Sequence, residues 1–353
     1  MKKNKKLSLW LWPALMLFSC CASKPPEFSE AGWLEKVNSA DTSLLYANHI
    51  DDKGIYFNPW LQRDRTQRSG SWFFHKKPQY EEFSSEQYGS VKNDYSYLKD
   101  ENFDSISFAG HASLIIKMNG RTIFTDPFFS GAALIVQKKV KIKFDFSEVP
   151  EKPVVLISHN HYDHLDKYSV KKLAEKDAVF IVPPGLKKLI TGYGVKTVHE
   201  LDWWRSITLD GIEYTLLPAQ HWSRRIGQKG GSVLWGGYLI RSAKTVYFSG
   251  DTGYFPGFRE FGKRWDIDYA LLGAGAYEPR WFMHYSHMNV NEFFLAAREL
   301  KAKLSIPVHF GIISLSDEPV LYPLYEIDQA IKQNPQSAEK IKPLRAGEYI
   351  QIK

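Results

Sequence analysis

Four short apolar runs in this 353-residue chain each end in a side chain able to ligate a metal, and that regularity constrains the fold more than any other feature. Val154-Val155-Leu156-Ile157 leads into Ser158-His159-Asn160-His161-Tyr162-Asp163-His164-Leu165-Asp166. Tyr214-Thr215-Leu216-Leu217 leads through Pro218-Ala219-Gln220 to His221, Thr245-Val246-Tyr247-Phe248-Ser249 leads to Gly250-Asp251, and Leu304-Ser305-Ile306-Pro307-Val308 leads to His309. Runs of this kind read as buried strands. Loops leaving neighbouring strands at one edge converge, which is where sheets covered by helices carry their chemistry.

His159, His161 and His221 can fill three positions around one cation, and Asp163, His164 and His309 three around another. Asp251, with two oxygens, can bridge them. Each cation would keep an open position for water or substrate, as catalytic sites do and structural ones do not. The donors are imidazole and carboxylate without thiolate, which suits two Zn²⁺ best and leaves Fe, Mn and Co open. Histidine and aspartate gain nothing from crowding in a core unless a charge organises them. The isolated His49, His75, His199 and His284 are therefore expected to be ordinary surface or packed residues. Asp126, in Thr125-Asp126-Pro127, either orients a ligand histidine through its second ring nitrogen or starts a turn. His111 either supports the site or packs in a loop.

The chain opens with Lys2, Lys3, Lys5 and Lys6 ahead of an apolar stretch from Leu7 to Phe18, then Ser19-Cys20. This is the layout of an export signal, and it resembles a bacterial lipobox with Cys20 as the lipidated residue. Twelve apolar residues are too few to span about 30 Å of hydrocarbon. The sequence therefore predicts a signal over residues 1–19 and an envelope lipoprotein held at a membrane through Cys20. With the four leader lysines set aside, the formal +7 falls to +3, and no long basic run follows. A nucleic-acid partner is not expected. Cys20 and Cys21 are the only cysteines, so the remainder has neither disulfide nor thiol nucleophile.

Residues 22 to about 35 read as a polar tether, and 33 to about 97, aromatic and charged without a clean period, as an irregular wrap. Residues 20–100 thus precede a main domain over 101–353. There the patterns predict strands at 106–108, 113–117 and 122–125, with Asn119-Gly120 as a hairpin turn. Further strands are expected at 179–182, 232–241 and 269–272. Helices are expected at 167–176, at 291–302 capped by Asn289 or Asn291, and at 324–332. Pro307 makes the run at 304–308 an edge or terminal strand.

The His159-Asn160-His161-Tyr162-Asp163-His164 block with His221, Asp251 and His309 resembles the metallo-β-lactamase superfamily. Gly110-His111-Ala112-Ser113, Thr125-Asp126-Pro127, Glu200-Leu201-Asp202-Trp203-Trp204, Gln220-His221-Trp222, Gly250-Asp251-Thr252-Gly253-Tyr254 and Gly275-Ala276-Tyr277-Glu278-Pro279-Arg280-Trp281-Phe282-Met283 extend the match. Together they resemble the N-acylphosphatidylethanolamine-hydrolysing phospholipase D family, from about Ile106 to the C-terminus. The resemblance implies an αββα four-layer sandwich with a dinuclear zinc site at one edge, and the ligand roles above carry over. It places His287 where the family has a further active-site histidine, after Ser286 where the family more often has Gln.

The reaction implied is attack of hydroxide on phosphorus, releasing an N-acylethanolamine from a membrane phospholipid and leaving phosphatidic acid. Asp163 and Asp251 would hold the cations and orient the hydroxide, and His287 would contact the phosphate or leaving oxygen. Tyr277 and Arg280, in the block from Gly275 to Met283, would support the ligands or bind substrate. Arg280 would pair with a phosphate or, structurally, with Glu278 or another acid. Trp203, Trp204, Trp222 and Trp281 would be core or line an acyl path. The alternatives are a hydrolase of another phosphodiester or a lactone, and a metal-binding envelope lipoprotein without activity.

Overall fold

The apolar runs form strands buried on both faces, and this double burial generates the layers. The computed structural model describes residues 27–63, 75–140 and 142–352. The expected signal, Cys20, and Trp72, Phe73 and Phe74 of the wrap lie outside them.

Residues 105–200 contribute β1 (Ser105–Gly110), β2 (Ser113–Met118), β3 (Arg121–Thr125), the two-residue β4 (Ala132–Ala133) and β5 (Val136–Gln137), β6 (Val154–Leu156), β7 (Val179–Val182) and β8 (Thr197–Glu200). Residues 206–351 contribute β9 (Ser206–Leu209), β10 (Ile212–Leu217), β11 (Gly237–Arg241), β12 (Thr245–Phe248), β13 (Tyr269–Gly273), β14 (Leu304–Val308) and β15 (Tyr349–Gln351). The helices are α1 (Glu30–Asn38), α2 (Lys167–Ala174), α3 (Lys187–Thr191), α4 (Gly257–Arg264), α5 (Arg280–Met283), α6 (Val290–Leu300) and α7 (Tyr322–Gln333). One sheet runs β15-β1-β2-β3-β6-β7-β8 and the other β14-β13-β12-β11-β10-β9, each antiparallel at one end and parallel at the other.

Successive side chains of a strand point to opposite faces. Ile123, Val154, Leu156 and Ile181 accordingly join the large core shared with Leu216, Tyr238 and Leu271 of the second sheet. Their neighbours Phe124, Val155, Phe180 and Val182 join a second core with Val170 and Leu173 of α2 and Ile190 of α3. The far side of the second sheet is covered by α4 through Phe258 and Phe261 and by α6 through Phe293 and Leu300. Each large aliphatic buried this way contributes about 1.5–3 kcal/mol, so the layered αββα arrangement follows from the continuous apolar runs.

The Asn119-Gly120 turn joins β2 to β3 with φ of 53° and 70°, as a tight hairpin requires. Asn289 caps α6 in a reciprocal box with Glu292. Pro307 lies on the edge strand β14, where its missing N–H costs no ladder bond. The strand expected at 232–241 begins only at Gly237, because residues 232–236 cross the histidine loop and Gly236 N donates to Ser158 O at 3.0 Å. Helix α1 occupies a stretch that showed no period, since only Trp33 and Val37 of its nine residues are buried. Among the described residues no helix is long and apolar enough to cross a membrane.

Candidate metal centre

All the strands that deliver expected ligands end at one edge of the sandwich. His111 follows β1, Asp126 follows β3, His159 to His164 follow β6, His221 follows β10, Asp251 follows β12 and His309 follows β14. The two sheets are laced together there: His309 N donates to His111 O at 2.8 Å, and His111 N to Phe310 O at 3.2 Å. His111, Asp126 and His309 adopt φ of 58°, 37° and 69°. Left-handed backbone at a non-glycine residue costs about 1–3 kcal/mol and persists where the surroundings impose it, typically at functional sites.

The donor atoms fall into two groups. Those of His159, His161, His221 and Asp251 all lie within 4.8 Å of one another, and so do those of His111, Asp163, His164 and His309. Asp251 joins the groups: its Oδ2 is 3.1 Å from His164 Nε2 and 3.8 Å from His221 Nε2, and its Oδ1 is 3.1 Å from His309 Nε2. Asp163 Oδ2 lies 2.8 Å from His111 Nε2 and 3.2 Å from His164 Nε2.

The outward ring nitrogens are occupied, which fixes where the lone pairs point. His159 Nδ1 meets Ser158 Oγ at 2.8 Å, His164 Nδ1 meets Asp126 Oδ2 at 2.7 Å, and His221 Nδ1 meets Ser286 O at 3.1 Å. His309 Nδ1 faces Gly275 O at 3.4 Å. With those nitrogens donating, the inner nitrogens present acceptors to one another. His161 Nδ1 is 2.8 Å from His159 Nε2 and 3.3 Å from His221 Nε2, and one N–H on His161 can satisfy only one of these contacts. His164 and His309 approach Nε2 to Nε2 at 3.3 Å. Converging buried lone pairs beside two carboxylates fit a bound cation in each group, with ligand orientation supplied from behind.

The protein's own charges divide the ligands into two sets. Burial works against the Asp163 and Asp251 carboxylates, yet the His164 charge beside both holds them well below the usual range. Burial opposes charge on His309 and His164 too, but Asp251 and Asp163 push His309 up to about 9 and raise His164 well above its ordinary value. Burial holds His161 down at about 4 and His159 and His221 well below their ordinary value. Ionised carboxylates and neutral imidazoles are the forms that ligate, so Asp163, Asp251, His159, His161 and His221 stand in that form, whereas His164 and His309 would have to release a proton to take a cation.

Asp126 lies where it was expected to act, fully buried, and its reach is wider than the sequence suggested. It accepts from His164 and also, at 2.5 Å, from Ser158 Oγ, which in turn meets His159, so one carboxylate steadies a histidine of each group. His111 lies against Asp163, and its Nδ1 is buried without a partner. His287 sits beside both groups, its ring 5.2 Å from that of His309 and 5.3 Å from that of His221, and burial drops it to about 3, leaving it neutral.

Tyr277 and Arg280 are both engaged within the fold, Arg280 in the structural ion pairing that was one of its two readings. The Tyr277 hydroxyl is spent on Glu326 of α7 at 2.6 Å, so it braces the fold beneath the site. The Arg280 guanidinium pairs with Glu30 at 2.7 Å and Glu292 at 2.8 Å while its backbone N donates to Glu278 Oε2 at 2.9 Å, and its Nη1 donates to His287 O at 3.2 Å. It carries no free charge for a phosphate; it tethers the His287 backbone. Trp203 and Trp281 are buried, Trp204 is half-buried with its indole donating to Leu45 O, and half-buried Trp222 packs against His161 at 4.4 Å. His49 pairs with Asp202, His75 contacts Asp317, and His284 stacks on Phe28, so these histidines are structural.

Several supports had no readable signal. Ser286 and Gly275 act through backbone carbonyls, and Gly275 has no room for a side chain, since a Cβ there would lie 2.1 Å from His309 O. Asn58 of the wrap donates to His221 O at 3.0 Å, and Trp60 to Gln220 Oε1 at 2.5 Å.

Residues 121–310 match the profile of the beta-lactamase superfamily domain. Over 226 residues the chain is 33% identical to the mitochondrial N-acyl-phosphatidylethanolamine-hydrolyzing phospholipase D of Saccharomyces cerevisiae, covering 60% of this chain and 48% of that one. It therefore spans about half the yeast relative's length. It is 30% identical over 257 residues to a metal-dependent hydrolase of Anoxybacillus flavithermus, covering 70% of this chain and 99% of that one. A metallo hydrolase from Ignicoccus hospitalis shares the fold with a TM-score of 0.54 at 20% identity, over 71% of this chain and 99% of that one. The chain belongs to the metallo-β-lactamase superfamily and resembles the N-acylphosphatidylethanolamine-hydrolysing phospholipases D.

Proposed function

We propose that the protein is a phosphodiesterase of phospholipase D type that hydrolyses N-acylphosphatidylethanolamine to N-acylethanolamine and phosphatidic acid, with two Zn²⁺ as its cations. The observation that carries this reading is Asp251, whose two oxygens reach both groups of histidines, so that two cations would stand side by side. Cations so paired lower the pKa of a water and neutralise charge on both the entering and leaving oxygens of an in-line displacement, which phosphodiester hydrolysis requires. Asp163 and Asp251 orient the attacking water. Asp126 fixes the rings of His164 and His159, and His287, neutral and tethered by Arg280, contacts the phosphate or leaving oxygen. No protein nucleophile is needed.

The likeness to the yeast phospholipase supports the lipid substrate, and the leader with Cys20 supports a lipoprotein of the bacterial envelope that meets phospholipid directly. A second reading draws on the near-complete coverage of the Anoxybacillus hydrolase: the same centre would serve a different phosphodiester or a lactone. The test is to offer the metal-replete protein N-acylated phosphatidylethanolamine, ordinary phosphatidylethanolamine and a set of lactones, and to identify products by mass. Phosphatidic acid from the N-acylated lipid is expected; hydrolysis of lactones alone would overturn the proposal.

A further inference from the structure

Two loops that flank the metal-binding segment expose bare aliphatic side chains, and their chemistry points to a membrane surface. At the tip of the β4–β5 hairpin Leu134, Ile135 and Val136 are 51%, 83% and 37% exposed, and on the loop after β10 Ile226 is 74% exposed. Apart from Ile50 at 36%, these are the only strongly exposed aliphatics among the described residues. A solvent-facing isoleucine forgoes burial that it would gain in hydrocarbon, so aliphatics gathered on two protruding tips suit insertion rather than solution.

Both loops are fastened to the ligand loop. Ser130 N, at the hairpin's base, donates to Asp166 Oδ2 at 3.0 Å, and Lys139 N donates to Ile312 O at 2.7 Å, just beyond His309. On the other side Arg225 donates to Asn160 O at 2.9 Å and lies over the Tyr162 ring, whose hydroxyl accepts from Ile226 N at 3.3 Å. The tips are thus held beside the histidine cluster at both of its ends.

The charge of these loops has one sign. Residues 127–144 and 222–231 contain lysines and arginines and not one acidic residue, and Lys139, Arg224 and Lys229 are exposed beside the tips. Outside the leader the chain is nearly balanced, so this concentration is local. Cations around exposed aliphatics match a bilayer with anionic headgroups, each cation near such a surface adding about 1 kcal/mol of attraction.

We propose that these two loops dock the metal centre onto an anionic phospholipid surface, Ile135 and Ile226 entering the headgroup region while Lys139, Arg224 and Lys229 engage lipid phosphates, so that a headgroup reaches the site without leaving the bilayer. The inference rests on the lipid-hydrolase reading but is tested apart from it. In the full-length chain carrying Cys20→Ser and Cys21→Ser, an environment-sensitive fluorophore is attached through Ile135→Cys or Ile226→Cys, with Tyr349→Cys on the exposed β15 as the control.

Vesicles of phosphatidylglycerol are expected to blue-shift the label at both loops and not at the control, and vesicles of phosphatidylcholine to do so less. No shift, or an equal shift at all three positions, overturns the proposal, as does a shift produced by self-association without vesicles. In a second arm, Ile135→Asp combined with Ile226→Asp is expected to lower hydrolysis of vesicle-borne lipid about tenfold or more while leaving hydrolysis of a water-soluble phosphodiester unchanged. Equal loss on both substrates, or on neither, counts against docking. If the parent hydrolyses no lipid at all, the function fails while the fluorescence arm still decides the surface.

Discussion

Two buried clusters of charged and polar side chains lie on either side of the short segment from His284 to His287, and they solve burial in opposite ways. Around Arg280 opposite charges are paired: the guanidinium reaches Glu30 at 2.7 Å, Glu292 at 2.8 Å and His287 O at 3.2 Å, and Glu292 also caps α6, its Oε1 alone lacking a hydrogen bond. Around Asp251 the donors and acceptors do not pair off. Imidazole nitrogens face one another at 2.8–3.3 Å, and Asp251 Oδ1, 3.1 Å from His309 Nε2, meets it as an ion pair without the geometry of a hydrogen bond. A buried polar group left unmatched costs about 1–3 kcal/mol, so the fold keeps the second cluster only if something else completes it. The first cluster supports a loop; the second is shaped for cations.

The sharpest way to break this contrast is to remove Asp251. Asp251→Ala takes away the carboxylate shared by both groups. Bound metal, counted per chain by elemental analysis, should fall in both sites, and turnover should drop well beyond the ten- to hundredfold typical of orienting residues. A variant that keeps a full complement of metal would dissolve the distinction. Arg280→Met makes the reciprocal prediction. Glu292, with a side chain only 1% exposed, loses its cation, and the protein should lose about 3–5 kcal/mol of stability in denaturant melts while still loading metal when folded. An unchanged melt would mean that the Arg280 cluster contributes nothing to the fold.

Asp126→Asn tests a link between the two histidine groups. Because Asp126 steadies His164 directly and His159 through Ser158, both sites should weaken together, by about ten- to a hundredfold in metal affinity, as followed by competition with a chromogenic chelator. Weakening confined to one site would show that the Ser158 relay carries no orientation.

The contrast also explains what the sequence could and could not reveal. Six consecutive residues from His159 to His164 announce a metal on their own, and His221, Asp251 and His309 were legible because each closes an apolar run that forms a strand. Their convergence depends only on strands ending at one edge, a rule of sheet topology. Arg280 and Tyr277 look equally functional as letters. Their partners Glu30, Glu292 and Glu326 sit on helices α1, α6 and α7, and nothing in the local pattern says which acid will arrive. Helix α1 itself was hidden because it buries only two side chains, and β15 because its three residues are not buried. The supports of His221 and His309 are carbonyl oxygens, which every residue has and which the sequence therefore cannot mark.

That last point sets the smallest and most discriminating test. Ser158 holds His159 with its side chain: its hydroxyl donates to Asp126 Oδ2 at 2.5 Å and accepts from His159 Nδ1 at 2.8 Å. Ser286 holds His221 with its backbone, the carbonyl lying 3.1 Å from His221 Nδ1. Ser158→Ala leaves a buried carboxylate short of a donor and a ring N–H without an acceptor, so metal affinity should fall about tenfold and stability by about 1–3 kcal/mol. Ser286→Ala keeps the carbonyl and should leave metal affinity where it was, both variants being read by the same chelator competition. The result would also explain why a serine can stand at 286 in place of the family's usual glutamine: the ligand histidine beside it is oriented by an atom that no substitution removes. If the two variants weaken metal binding equally, the side chain at 286 acts on the site after all, and its identity would then bear on which substrate the centre accepts.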